Sequence, residues 1–247
     1  MTRIISFAVT GDFASFRDPT VTTNQLVYYI PSKTAVVGLI GAILGIKRGN
    51  TLDEIYSKDY LEFFSKIKIG VQLCNNPNKI TFFTNHRSLK QPKTKPVKKE
   101  ILESPKYIFY VKSTDDILDS IIHCITNHNY KFSPYLGHAY CIAKISDLKI
   151  HEGKLVENLC DTITECVILD ESDSNYNTSF KIDLSKNDNA MLVVERHLHH
   201  FFEDSEFKSK VLKHWIPINA TPVDIEQLEQ NRLSNFYEIN KKVYCLY

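Results

Sequence analysis

Residues 29–45 read YIPSKTAVVGLIGAILG, and this stretch predicts the first helix of the fold. Ser32 is a residue type that caps helices, so we expect a helix that begins at Ser32 and runs through the apolar block to Gly45. The block is far shorter than the roughly 20 residues that cross a bilayer, which indicates a place in a protein core. Small residues recur at helical spacing and predict close packing against a sheet: Ala35, Gly38, Ala42 and Gly45.

The segments around this helix predict strands and two further helices. Residues 3–10 alternate apolar and polar side chains, which is typical of a half-buried strand. A short helix is predicted over residues 52–64, and another helix, capped by Ser113 or Thr114, has an apolar face that extends to residue 125. Further strands are predicted over residues 67–73, 79–84, 107–111 and 133–145.

The order of these elements predicts an α+β fold. A strand, a helix, a pair of strands, a helix and a final strand follow one another in a ferredoxin-like or RRM-like unit. From about Leu148 the sequence changes to short β-type runs separated by polar turns. We therefore predict a ferredoxin-like (RRM-like) domain over residues 1–147 and a smaller β-rich C-terminal domain over residues 148–247.

Positive charge is concentrated in one segment, although the net charge of the chain is only +1. Residues 85–99 contain six cations and no acid, and they leave 24 cations against 29 acids elsewhere. Pro92 and Pro96 disfavour a helix there, so we predict an exposed finger or hairpin over about residues 85–105. A localised basic segment suits a polyanion, whereas a solvated lysine run is the common alternative. The candidate nucleic-acid contacts in it are Asn85, His86, Arg87, Lys90, Lys93, Lys95, Lys98 and Lys99.

A second candidate site for phosphate lies at the start of the predicted helix. Free backbone amides at a helix N-terminus attract anions, and hydroxyls and cations accompany them here, although many capped helices hold no ligand. The glycines lie inside the helix and no GK[ST] sequence occurs, which excludes a nucleotide P-loop. The candidate residues are Arg17, Thr22, Thr23, Tyr29, Ser32, Lys33 and Thr34.

The cysteines and histidines predict no metal site and no cofactor. Six cysteines are scattered without a CxxC pair and no signal peptide is recognisable, so we expect reduced thiols, a cytoplasmic protein and no contact with membranes. His197, His199 and His200 have no correctly spaced acidic or thiolate companion, so they are predicted to be surface or interface histidines.

Three stretches resemble the Cas5 family of CRISPR-associated proteins, especially its type I-B branch. The first is GDFASFR at residues 11–17 together with Thr22-Thr23 and residues 29–45. The second is Asn85-His86-Arg87, which starts the basic segment that returns through residues 105–107. The third is SPYLG at residues 133–137. With a β-rich tail that contains Glu195-Arg196, the resemblance extends over essentially the whole chain.

The resemblance implies a role in CRISPR antiviral defence. Members of this family have an RRM-like domain with a protruding thumb, and they hold the repeat-derived 5′ tag of the guide RNA (crRNA). They stack against the first backbone subunit of the filament in the surveillance complex (Cascade) and contact its large subunit, so target DNA is met only indirectly. By this resemblance the basic finger is the thumb, and no catalytic residue is expected.

Two other functions stay open at this stage. The type I-C branch of the family cleaves repeat RNA without metal, using tyrosine, lysine and histidine side chains. No such set aligns here, and the neighbours Lys213 and His214 lie far in sequence from the predicted thumb. A free-standing RNA-binding regulator of RRM type is the third hypothesis, although the short aromatic RRM signature is not recognisable.

Overall fold

The structure is a computed structural model of the whole chain. It describes residues 1–21, 24–49, 54–87, 94–157, 159, 162–171, 180–183, 191–203, 206–227 and 235–247. The structural statements that follow refer to these residues.

Three α-helices lie in the described residues. Helix α1 (Lys33–Leu44) is capped by the Ser32 hydroxyl, which accepts from the Ala35 amide, and it ends at Gly45 with a φ of 83°. The helix predicted from the opening stretch is therefore confirmed. Helix α2 (Lys58–Lys66) begins after the cap residue Ser57, later than predicted, and residues 50–53 lie outside the described part of the chain. Helix α3 (Asp115–Thr126) follows Thr114, as predicted.

Strands form most of the rest of the described chain, so the predicted mixed α+β class is confirmed. In chain order they are β1 (Thr2–Thr10), β2 (Phe13–Ala14), β3 (Lys68–Leu73), β4 (Asn78–Arg87), β5 (Thr94–Glu103), β6 (Lys106–Lys112), β7 (Lys144–Val156), β8 (Thr162–Thr164), β9 (Ile168–Asp170), β10 (Phe180–Asp183), β11 (Leu192–Glu203), β12 (Glu206–Pro217), β13 (Val223–Gln227), β14 (Asn235–Ile239) and β15 (Lys242–Leu246).

One six-stranded antiparallel sheet organises the fold, in the spatial order β15-β14-β7-β1-β6-β3. Its strand β1 is buried on both faces, because Ile5 and Phe7 belong to the main core cluster whereas Ile4 belongs to a second one with Tyr110 and Leu246. The prediction of a half-buried first strand is therefore wrong. Smaller three-stranded sheets contain β10-β13-β8, β11-β12-β9 and β2-β5-β4.

The region around β7 differs from the sequence-based expectation. Residues 133–143 are an irregular loop with a single bridge between Tyr135 and Ile142, and regular strand begins only at Lys144. The boundary predicted between residues 147 and 148 falls inside β7, which is continuous. Strands β14 and β15, near the C-terminus, extend the same sheet beyond β7. The division into two domains stays a prediction.

Gly38, in the small-residue stripe of α1, does not pack against a sheet. Val36, Val37, Ile40 and Ile43 are buried, because the larger apolar side chains gain more from leaving water. Gly38 faces outward, and a Cβ atom placed on it would meet no atom within 4 Å. The prediction of close packing at Gly38 is therefore wrong, and this face of the helix instead borders an open groove.

Candidate nucleic-acid interface

The predicted basic finger coincides with a two-stranded antiparallel hairpin. Strands β4 and β5 pair from Asn78 opposite Glu103 to Arg87 opposite Thr94. Asn85, Arg87 and Lys95 are exposed, whereas Lys98 and Lys99 are half-buried. His86 pairs with Lys95 through its backbone, and its side chain lies outside the described part. Lys90 and Lys93 also lie outside the described residues, so the predictions at these positions stay untested.

Strand β5 of this hairpin is anchored near its middle to the chain that precedes α1. The Gln25 amide donates to the Lys98 carbonyl, and the Glu100 amide donates to the Gln25 carbonyl, each at 2.9 Å. Arg17 forms a backbone bridge with Val27 in the same segment, and its side chain is exposed. These backbone contacts hold Arg17 and the middle of β5 near each other. The predicted contacts Thr22 and Thr23 lie outside the described residues.

A basic cluster forms where the loop 133–143 meets this segment, and we define it as Arg17, Lys99, His138 and Tyr140. Partial burial lowers the pKa of His138, and the positive charges of Lys99 and Arg17 lower it further. The rings of His138 and Tyr140 are stacked, with centroids 5.1 Å apart and an interplanar angle of 8°. Because Tyr140 is 56% exposed, the cluster presents positive charge and an aromatic ring to solvent together.

Gly137 fixes the loop in this position. Its φ is +90°, and a Cβ atom there would overlap the Ser15 carbonyl. The Ser15 amide donates to the Leu136 carbonyl at 2.9 Å, which ties the loop to the segment that leads to Arg17. A residue other than glycine would force the two segments apart, and His138 would move away from Arg17.

The start of α1 is engaged by protein contacts. The Tyr29 amide donates to the Glu195 carboxylate at 3.0 and 3.1 Å, and the Tyr29 carbonyl accepts from the Tyr107 hydroxyl at 2.7 Å. The Ser32 and Thr34 hydroxyls are 2.9 Å apart, and Ser32 also caps the helix. These groups hold the helix start in place.

The position of the Lys33 amine contradicts the prediction that it helps to bind phosphate at the start of α1. Its ammonium lies 4.9 Å from the centroid of the Phe64 ring, inside the protein. Burial, and then the charge of Lys68, lower the pKa of Lys33 to about 7. A largely buried amine over an aromatic ring is not placed to bind a surface phosphate. The predicted role of Lys33 is therefore wrong.

Glu195 connects the hairpin base to the start of α1. Its carboxylate lies 3.6 Å from the Lys79 amine and 3.0 Å from Nε2 of His197, in addition to the Tyr29 amide. The Lys79 amine also donates to the Val27 carbonyl at 2.8 Å. Glu195 of strand β11 thereby joins β4 to the segment that precedes α1.

Two of the three histidines of β11, His197 and His199, are buried, whereas His200 is half-buried. His197 is 1% and His199 3% exposed, and His197 stacks between Tyr28 at 3.8 Å and His214 at 4.4 Å. Burial, together with neighbouring positive charges, lowers the pKa of His199 to about 3, so its ring is neutral near pH 7. The prediction of surface or interface histidines is therefore wrong for these two residues, because the rings pack into the core. Among the described residues, no group of three His, Cys, Asp or Glu side chains is placed to hold a metal.

Comparison with known proteins identifies the family. A family model described as CRISPR-associated protein (Cas_Cas5) matches residues 4–209. The chain belongs to this family. A similar fold is seen in a CRISPR protein from Archaeoglobus fulgidus, which matches with a TM-score of 0.59 and 12% identity over 99% of both chains. At this identity the likeness shows the fold alone.

The other comparisons add little to the Cas5 assignment. A chain from a CRISPR RNA-guided surveillance complex shares 15% identity over 89% of this chain and 91% of its own, with a TM-score of 0.47. A similarity of that size carries no argument about fold or function. No curated protein matches the chain. Within the described residues, no helix combines the length and apolar character needed to cross a membrane.

Sequence reasoning found half of the basic cluster in this Cas5 protein. Arg17 and Lys99 were candidate contacts, and the structure brings them together with His138 and Tyr140, which were missed. The available signal was the SPYLG stretch, because these two residues follow it closely in sequence. Their chemistry was not apparent because a single histidine and a single tyrosine in a loop are common in any protein.

Proposed function

We propose that this Cas5 protein is a non-catalytic subunit of a CRISPR surveillance complex in the cytoplasm, where it holds the repeat-derived 5′ tag of the guide RNA. The basic cluster carries the proposal, since it joins the exposed Arg17 and Tyr140 to Lys99 of β5 and His138 of the loop 133–143. Membership of the Cas5 family supports a CRISPR role. No cofactor is needed for such a function.

The chemistry of the cluster suits unpaired RNA. Cations neutralise phosphates and release counterions, which gives affinity that weakens with salt. Exposed aromatic rings stack on unpaired bases, and a stacked His138–Tyr140 pair offers such a ring beside the cations. Single-stranded RNA presents both phosphates and free bases, as a guide tag does.

The hairpin is proposed to be the thumb that contacts the first backbone subunit. Asn85, Arg87 and Lys95 are exposed toward its far end, at a distance along the strands from the anchored middle of β5. We also infer that β1, β3, β6 and β7 with α1 and α3 form a ferredoxin-like unit, which the antiparallel order β7-β1-β6-β3 supports. The large subunit would bind elsewhere on this body, and target DNA would be reached through that assembly. The type I-B subtype stays a prediction.

One observation favours repeat cleavage as a second candidate function. The basic cluster contains a tyrosine, a lysine and a histidine, the residue types that the type I-C branch uses for metal-independent cleavage, and the pKa of His138 is lowered. A neutral histidine near pH 7 can act as a general base. Cleavage remains the second candidate because stacking on Tyr140 and RNA binding explain the same three side chains.

The experiment compares the parent with Arg17→Gln/Lys99→Gln, using repeat RNA in EDTA at several salt concentrations. We expect intact RNA, weaker binding by the variant, and a log–log salt slope reduced by about 0.7 for each phosphate that the variant no longer neutralises. Lys149→Gln/Lys154→Gln removes two exposed lysines of β7 and should bind like the parent. Equal affinity and slope in the parent and in the Arg17/Lys99 variant would refute the proposed site. Specific cutting that His138→Ala abolishes would establish the nuclease instead.

A further inference from the structure

The groove beside α1 is a second feature of this surface. It has a volume of about 340 Å³ and runs along the outward face of the helix, where Gly38 and Ala42 form its floor. Tyr56 borders it on one side, and Tyr135 and Gly137 border it on the other. Tyr135 is 46% exposed, so one wall of the groove is an accessible aromatic ring.

The floor and the walls suit a flat aromatic ligand. Gly38 leaves open space because a Cβ atom there would meet nothing within 4 Å. Tyr56 is fixed by stacking on Tyr60, with an interplanar angle of 14°. Bases stack on aromatic side chains in sequence-tolerant recognition of single strands. The groove volume lies near the lower end of the range for small-molecule sites, so the groove accommodates one nucleoside rather than an extended ligand.

The charge around the groove favours a nucleotide over an apolar protein segment. The exposed Arg48 lies at the groove, with its guanidinium 5.4 Å from the centroid of the Tyr56 ring. No carboxylate is present among the described residues that line it. A guanidinium can bind a phosphate while its face rests on a tyrosine ring. An apolar side chain of a partner protein would make no use of this cation.

The groove and the basic cluster share the loop 133–143. Gly137 lines the groove, and the next residue, His138, belongs to the cluster with Arg17 and Lys99. Gly137 and His138 are consecutive, with Cα atoms about 3.8 Å apart, so the loop places one wall of the groove next to the cluster. The loop that joins them is hydrogen-bonded to Ser15, which holds the groove and the basic cluster in a fixed relation.

We propose that the groove between α1 and the loop 133–143 receives one unpaired base of the RNA whose phosphates the basic cluster holds. This inference rests on the proposed function and adds a base pocket to it. The outward glycine and alanine of α1 then serve to leave room for the base.

The test uses Gly38→Leu, which fills the groove from its floor and whose Cβ atom would meet no neighbouring atom within 4 Å. Affinity is measured for single-stranded RNA carrying the repeat-derived tag, and for the same RNA with one abasic position moved along the tag. We expect one abasic position to weaken binding by the parent about 5- to 150-fold, as for the loss of one base–aromatic stack. Gly38→Leu should weaken binding to the intact RNA similarly and remove the effect of that abasic position. Tyr135→Ala provides a second variant with the same expected result if Gly38→Leu does not fold.

The matched control is Ser120→Leu, which places the same side chain on the exposed face of α3, and we expect it to bind like the parent. A parent that binds RNA while Gly38→Leu binds equally well would overturn the base pocket and leave the proposed function standing. A parent that binds no RNA would overturn both. Reduced affinity without any sensitive abasic position would overturn the base assignment. Normal RNA affinity with impaired assembly would assign the groove to a protein segment.

Discussion

Lys33 illustrates how a single side chain in this protein differs from its apparent role. Its amine lies against Phe64 and its pKa is lowered from the ordinary 10.5 to about 7, mainly by burial. Between these two values the unfolded chain binds more protons than the folded chain, so this residue makes stability rise with pH across that window. Below about pH 7 the cost of burying the amine is present in full.

We expect Lys33→Met to raise the melting temperature more at about pH 6 than at about pH 10, because the buried charge is removed where it costs most. Thermal unfolding followed by circular dichroism across this range measures the difference. Lys149→Met, at an exposed position of β7, is the control and should show no such pH-dependent gain. A gain that is the same at every pH would contradict a lowered pKa for Lys33.

The sequence indicated which residue caps α1 and that the helix lies in the protein core. It did not indicate where the polar side chains point. Ser32 was recognisable as a cap because the cap chemistry is local. The buried environments of Lys33, His197 and His199 were not predicted because tertiary contacts determine them. Glu195 pairs with Tyr29 across 166 positions, and no local pattern reveals a contact of that span.

At the scale of elements, α1 and the loop 133–143 contain glycines with opposite requirements. Gly137 adopts a φ of +90° and meets the Ser15 carbonyl, whereas Gly38 is helical and open. We expect Gly137→Ala to destabilise the protein by more than about 2 kcal/mol, through the unfavourable φ and the overlap. Gly38→Ala should stabilise it by about 0.5–1 kcal/mol, because alanine is the better helix former. Urea unfolding of both variants provides the comparison, and equal effects of the same sign would be inconsistent with these two environments.

The elements themselves were largely predictable. Alternating or continuous apolar runs identified β1, β3 and β6, and the prolines and charges of residues 85–105 indicated the hairpin. The loop 133–143 differs from the strand that its apolar residues predict. Its conformation depends on the Ser15–Leu136 hydrogen bond and on the φ of Gly137. Neither feature produces a periodic pattern in the local sequence.

At the scale of the whole molecule, the basic cluster is assembled from three distant parts of the chain. Arg17 precedes α1, Lys99 lies in β5, and His138 and Tyr140 belong to the loop before β7. Backbone hydrogen bonds hold these parts in a fixed relation, because Gln25 joins the segment before α1 to β5 and Ser15 joins the chain before Arg17 to Leu136 of the loop. The surface is thus a product of the fold, and a rigid surface loses less entropy when it binds RNA.

The central claim is that this surface holds the 5′ tag of the guide RNA, and site-specific cross-linking tests it most directly. A native complex is assembled on guide RNAs that carry one photoreactive nucleotide, either in the tag or near the 3′ end. We expect tag nucleotides to cross-link to this Cas5 chain, within residues 135–140 and around Lys99, and 3′ nucleotides to cross-link elsewhere. Tag nucleotides that cross-link only to other subunits, while this chain is present in the complex, would contradict the account.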